Sequence, residues 1–192
     1  MKSRFLFTAL AIAIFFIAFF FGVFFLNIGN TSEAQVTRFD TNREIVLIYF
    51  GCSTCGPSNN PELKNYYNNI KEKLLLSSKD KKINFTTIGI SNESSVTEGL
   101  THLEKFDSFN EIAVGNRMSN LGIQNYVWDR FDTIIASATP QIIIVDRTYS
   151  MNNQNGELFV HPKILKDSIL TRRVGISQFE KLSQDTLFYS SL

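Results

Sequence analysis

Residues 44–58 read Glu-Ile-Val-Leu-Ile-Tyr-Phe-Gly-Cys-Ser-Thr-Cys-Gly-Pro-Ser. From Glu44 to Phe50 the run is apolar, β-branched and aromatic, which predicts a short strand covered on both faces. Gly51 to Asn60 carries turn residues. Beyond it, Leu63, Tyr66, Tyr67, Ile70 and Leu74 recur at helical spacing and predict an amphipathic helix over Leu63 to Leu76. Cys52 and Cys55, the chain's only cysteines, therefore lie where a buried strand turns into a helix. A thiol at a helix N-terminus feels unpaired backbone N–H groups, and both they and the macrodipole favour the thiolate. Two cysteines three apart across a turn also reach disulfide geometry. A static structural disulfide is the plainer reading of the same spacing. Zinc is excluded: no second ligand pair exists, and His102 and His161 lack ligand spacing.

Downstream, Ile83 to Ile90 predicts a second strand. Ser94 to Phe106 predicts a helix capped by Ser94 or Ser95, with Glu98 in its first turn. Phe109 to Val114 reads as a short strand and Met118 to Phe131 as a helix. Gln141 to Val145 is a third core strand, Leu158 to Val160 a short extended piece, and Ile164 to Leu170 an edge strand. Ser177 to Phe188 closes the chain as a helix. Strands alternating with helices imply an α/β or α+β sandwich around one sheet. His102 and His161 read as ordinary surface or half-buried residues, and Trp128 as a packing anchor.

Upstream, nine of the 18 Phe fall between Phe5 and Phe25, and Phe5 to Leu26 carries no charge. A bilayer core needs about 20 such residues, whereas a cleaved signal peptide has an apolar region of about 7–15. The segment 5–26 therefore reads as a transmembrane signal anchor, with cleavage after Ala34 as the alternative. Lys2 and Arg4 precede it, so residues 1–4 are expected in the cytoplasm and the rest outside it. Residues 27–42 read as a linker and residues 43–192 as one domain. Beyond Leu26, 17 cations face 18 anions. That balance excludes the basic footprint of a nucleic-acid binder. A 150-residue domain buries enough surface to need no staples.

Taken together, these residues resemble the thioredoxin superfamily over Glu44 to Leu192. In that family a strand ending in a hydrophobic pair runs into C-G-P-C at a helix start. Here Cys55-Gly56-Pro57-Ser58 stands in that place, with Cys52 as an extra thiol on the entering loop. The resemblance implies a three-layer α/β/α fold with Cys55 as attacking thiol and Gly56, Pro57 and Ser58 in support. It also implies a cis-proline before a core strand, and Thr139-Pro140 precedes Gln141 to Val145. Thr139 then presents the substrate chain. Residues around 109–131 read as an insertion. Thr54 stands where the family has Trp, Tyr49 where it has a buried acid, and Ser58 where it has the resolving Cys. A second register, with Cys52 attacking and Cys55 resolving, keeps a C-x-x-C pair.

The implied function is thiol–disulfide oxidoreductase chemistry at the outer face of the cell membrane, periplasmic in a Gram-negative cell. Its partners are protein thiols, disulfides or a redox protein, and no metal or organic cofactor is implied. Cys55 attacks, and Cys52 or a partner thiol resolves. The alternative is a non-catalytic binding module on the same fold.

Overall fold

The computed structural model describes residues 41–106, 108–128, 138–150 and 163–192. The anchor 5–26, most of the linker, the piece at Leu158 and His161 lie outside the described residues. Among the described residues, no helix is long and apolar enough to cross a membrane.

Strand β1, Arg43–Gly51, is one residue longer at each end than the apolar run predicts. Its side chains alternate between two cores, as a pleated strand requires. Ile45, Leu47 and Tyr49 enter one, and Val46, Ile48 and Phe50 the other. All six are at most 1% exposed. β1 sits in the middle of a five-stranded sheet of order β3-β2-β1-β4-β5. It pairs in parallel with β2, Asn84–Ser91, and antiparallel with β4, Gln141–Ser150. β3, Glu111–Ala113, runs parallel at one edge, and β5, Lys163–Val174, antiparallel at the other. The predicted edge strand is confirmed at β5.

Helix α1, Leu63–Asp80, lies on the first core and buries Leu63, Tyr67, Ile70 and Leu74. It outruns the predicted end because tertiary partners hold its last turn. Ser77 Oγ donates to the Tyr189 carbonyl at 2.9 Å, and Ser78 is buried. Helix α2, Val96–Leu103, is capped by Ser95, whose side chain accepts the Glu98 N–H. A 3₁₀ turn then carries the chain through Phe106. The single C-terminal helix expected from Ser177 is two: α3, Ile176–Gln184, and α4, Thr186–Ser191. Asp185 divides them and caps the second by accepting the Phe188 N–H at 3.0 Å. Phe179, Leu182 and Tyr189 add these helices to the first core.

The second face is covered differently from the expectation. The helix read from Met118 is replaced by a 3₁₀ turn at Arg117–Ser119, one α-turn at Leu121–Ile123 and a π-turn at Gln124–Trp128. Asn120 is the cause. Its side chain accepts the N–H groups of Gly122 and Ile123, restarting the helix where periodicity alone would run through. Ile123 and Val127 reach the core. Trp128, read as the packing anchor, is 39% exposed. The helical layers on both faces of the sheet give the α/β/α arrangement.

Leu47 is fully buried at the centre of the first core. Leu47→Ala is expected to destabilise the protein by about 3 kcal/mol, measured by urea denaturation of the purified chain.

Candidate active site

The C-terminal end of β1 delivers the thiol turn. Gly51 is the last strand residue. The chain then folds back so that the Cys55 N–H donates to the Cys52 carbonyl at 3.3 Å, and the Ser58 N–H to the Cys55 carbonyl at 3.0 Å. Cys55 is the residue before a 3₁₀ turn, Gly56–Asn59, with Pro57 at its start. This corrects the expectation that Cys55 opens the helix running through Leu63. Asn60, Pro61 and Glu62 separate the two, and α1 begins only at Leu63. The macrodipole of the long helix therefore does not distinguish the two thiols.

Burial distinguishes them instead. Cys52 is 4% exposed, while Cys55 is half-buried. Burial pushes the Cys52 thiol up, and the neighbouring Cys55 sulfur adds to the shift, because a low-dielectric site disfavours the thiolate. Cys52 Sγ has the Thr54 hydroxyl at 3.1 Å. Both cysteines are free thiols in this structure. Gly56 and Pro57 are exposed, and Ser58 is buried beneath the turn.

Three residues that sequence reading left out of the site hold this turn. Asn59 Nδ2 donates to the carbonyls of Ser53 and Cys55. Its Oδ1 accepts from Lys105 Nζ at 3.2 Å. Glu93, only 3% exposed, accepts the Ser53 N–H from the loop after β2. Nothing in the pattern of Asn92-Glu93-Ser94 signals a buried acid, because the contact spans 40 residues of sequence.

His102 is a second correction. Read as an ordinary surface or half-buried residue, it is fully buried, and its Nε2 lies 3.1 Å from the Tyr49 hydroxyl. A methyl group placed on Gly51 would stand 2.3 Å from that hydroxyl and 2.5 Å from His102 Nε2. Gly51 is therefore required by close approach, and the Tyr–His pair lies against the residue that precedes Cys52. Burial first and Lys105 second lower the His102 pKa, to about 4, against the opposing effect of Glu93. Burial likewise raises Tyr49 well above its ordinary value, with Tyr67, Cys52 and Cys55 adding to the shift. Ser58 Oγ lies near the Tyr49 hydroxyl but without a hydrogen bond of ordinary geometry.

The other wall comes from β4. Phe50 pairs with Gln141. Continuing that antiparallel register sets Pro140 level with Gly51, and Thr139 level with Cys52. The Thr139–Pro140 peptide bond is cis, as the family resemblance implies. Pro140 is buried and Thr139 half-buried. The loop is fixed from behind: Gln141 Nε2 donates to the Ala138 carbonyl, and Arg172 Nε donates to Gln141 Oε1 at 2.9 Å. The Gly175 N–H closes on the Pro140 carbonyl at 2.9 Å. Gln141 and Arg172 are further residues that the sequence did not mark.

The domain has a thioredoxin-like fold. No family model matches the chain, and no curated protein matches it. Among solved structures it is similar to a protein of Chlorobium tepidum described as thiol:disulfide interchange protein DsbE, at 15% identity and a TM-score of 0.41, covering 76% of this chain and 79% of that one. It is also similar to a thiol-disulfide oxidoreductase of Bacteroides fragilis NCTC 9343, at 21% identity and a TM-score of 0.36, over 70% and 76% of the two chains. A thiol:disulfide interchange protein of a Bacteroides species matches at 17% and 0.36, over 55% and 59%. The fold assignment rests on the strand order and on the thiol turn meeting the proline loop, not on these likenesses.

Iodoacetamide is expected to modify Cys55 before Cys52 in the reduced folded protein, and the two rates are expected to converge in urea. Equal rates in the folded state would contradict the asymmetry of burial. His102 gives a second expectation. The unfolded chain takes a proton there as pH falls through about 6.5, while the folded protein declines it until about 4. The stabilisation is complete above the first value and is lost toward the second. Between them the folded state should lose about 3 kcal/mol at this site, and denaturation midpoints of His102→Gln should lack that component.

Proposed function

We propose that the protein carries out thiol–disulfide exchange, with Cys55 as the attacking thiol and Cys52 as the resolving one. The carrying observation is the pair itself: a half-buried cysteine on the turn and a buried one three residues earlier, at the end of β1 where the register brings the cis-proline that precedes β4. In the reductive direction the Cys55 thiolate attacks one sulfur of a substrate disulfide. The S–S bond breaks, the first substrate thiolate leaves and takes a proton from solvent, and a mixed disulfide remains on Cys55. Cys52 then loses its proton and attacks Cys55 Sγ. An intramolecular disulfide forms as the second substrate thiolate departs. Two electrons pass from the dithiol to the substrate, and a partner dithiol must return them. The reverse sequence oxidises a substrate.

The order of the thiols follows from burial. The nucleophile has to meet a bulky protein disulfide, and only the Cys55 sulfur is open to one. The resolving thiol needs to reach only its neighbour. Thr139, beside the cis bond, offers its backbone to the substrate chain at the level of Cys52. Ser58, buried and without a sulfur, takes no part in exchange.

The same proposal places the reaction outside the cytoplasm, tethered by the apolar segment 5–26. Supporting this are the absence of charge in that segment, the preceding Lys2 and Arg4, and a compartment in which disulfides persist.

Cys52→Ser is expected to accumulate a covalent adduct with a disulfide substrate through Cys55, while Cys55→Ser forms none and is inactive. Mass spectrometry under non-reducing conditions reads both. An adduct carried by Cys52 in the Cys55→Ser protein would reverse the two roles. Absence of any adduct would leave the binding module.

A further inference from the structure

The thiol turn stands at the C-terminal end of β1. At the other end, register sets Asn84 on β2, Glu44 on β1 and Arg147 on β4 level with one another, and Asp167 on β5 pairs with Arg147. The chain enters the domain on this rim. The Thr41 carbonyl accepts from Asn84 Nδ2 at 3.2 Å, and the Asn42 carbonyl accepts the Tyr149 N–H at 2.8 Å.

Two segments lie past that level. One is the turn from α1 to β2, Lys79-Asp80-Lys81-Lys82, and the other is the start of β5, Lys163-Ile164-Leu165-Lys166. Both are exposed throughout. They are three strand spacings apart, roughly 15 Å. Lys81 Nζ donates to the Ser190 carbonyl. Lys79, Lys82, Lys163 and Lys166 meet no acid among the described residues. The acids beside them are engaged: Asp146 with Arg43 at 2.8 Å, Asp167 with Arg147 at 2.9 Å and Glu44 with Arg147 at 3.8 Å. Only Asp80 stands among the lysines themselves.

Two details separate this rim from an ordinary solvated edge. Lysines alone are a common means of blunting an edge strand. Here Ile164 is 43% exposed and Leu165 62%, bare between two of them. The end of α1 is the second detail. The Ile83 N–H reaches the Ser78 carbonyl at 2.9 Å, and the Lys82 N–H the Lys79 carbonyl at 3.2 Å. That is a Schellman turn, whose left-handed position usually holds glycine. Lys82 occupies it at φ 56°, so a cation stands where glycine would suffer no strain.

We propose that this rim docks on the surface of a bilayer with anionic headgroups, the lysines meeting phosphate while Ile164 and Leu165 enter the interface. The docking rests on the tether proposed above. Apolar side chains among basic ones suit an interfacial contact, and each lysine near an anionic surface strengthens it roughly fivefold. A weak contact is enough, because the tether keeps the lipid close. Residues 27–42, sixteen in all, span roughly 20–25 Å as a flexible chain. They join the domain on the same rim that carries the lysines. In the docked state the nine residues of β1 set the thiol turn about 30 Å from the lipid, open to disulfide partners that arrive from the aqueous side.

The test reconstitutes the full chain in nanodiscs of phosphatidylcholine, in nanodiscs with phosphatidylglycerol added, and in detergent micelles. Acetylation by a water-soluble ester is then read lysine by lysine by mass spectrometry. Lys79, Lys82, Lys163 and Lys166 are expected to react roughly fivefold more slowly in the anionic discs and to recover in high salt. Lys64 and Lys105, toward the thiol end, should keep one rate throughout, as should alkylation of Cys55. Replacing two exposed side chains together, Lys163→Gln with Lys166→Gln, should restore the rates of Lys79 and Lys82. Equal rates in the two kinds of disc overturn docking on anionic lipid. Protection that persists in micelles and grows with protein concentration means that a second copy of the chain covers the rim, and it overturns lipid as the occupant. A chain that does not stay with the discs removes the tether, and the docking with it. That outcome is distinct from a retained chain whose lysines all react alike, which overturns the docking alone.

Discussion

Burial of β1 on both faces is the constraint from which the rest follows. A strand with six consecutive side chains at or below 1% exposure has one place in a sheet, the middle. There it has neighbours on both edges and a helical layer on each face. Once it is central, its C-terminal end opens at the rim of the sheet, and the thiol turn is delivered there whatever its own sequence. The antiparallel partner β4 begins at the same rim. Its preceding proline loop is therefore set level with the turn by backbone register.

The asymmetry of the two thiols is a consequence of the same geometry. Cys52 follows the last strand residue directly and stays in the wall of the sheet. Two residues of turn, Ser53 and Thr54, carry Cys55 outward before the 3₁₀ turn begins. Position along the chain thus converts into depth, and depth into acidity and access. The helix field that would have served the same end begins only at Leu63, beyond Asn60, Pro61 and Glu62.

At the opposite end of β1 a different device holds the sheet together. Arg147 on β4 reaches Asp167 on β5 at 2.9 Å and Glu44 on β1 at 3.8 Å. It also donates to the Tyr126 hydroxyl at 2.9 Å. The side chains of Arg147, Asp167 and Glu44 are 5%, 7% and 12% exposed. Each charge must therefore be matched, or the hairpin of β4 and β5 loses its register. That register sets where Pro140 and Gln141 stand, so the ion network is tied to the active end through the backbone of β4.

The sequence by itself determined the elements whose signal is local. The apolar run of β1, the periodicity from Leu63 to Leu74, the Ser95 cap and the proline before Gln141 were legible because each depends on neighbours a few residues away. The two thiols were legible for the same reason, whereas the cis bond was expected only through the resemblance to a known family. Only the tertiary structure decided what depends on distant contacts. It broke the helix expected from Met118 through the Asn120 side chain and divided the last helix at Asp185. It moved His102 from an ordinary position to the partner of Tyr49, and it placed Glu93 against Ser53. These residues are 53 and 40 positions from their partners. No periodicity can register a contact of that span, since burial of a polar group is set by what the sheet brings next to it and not by the residues beside it in sequence.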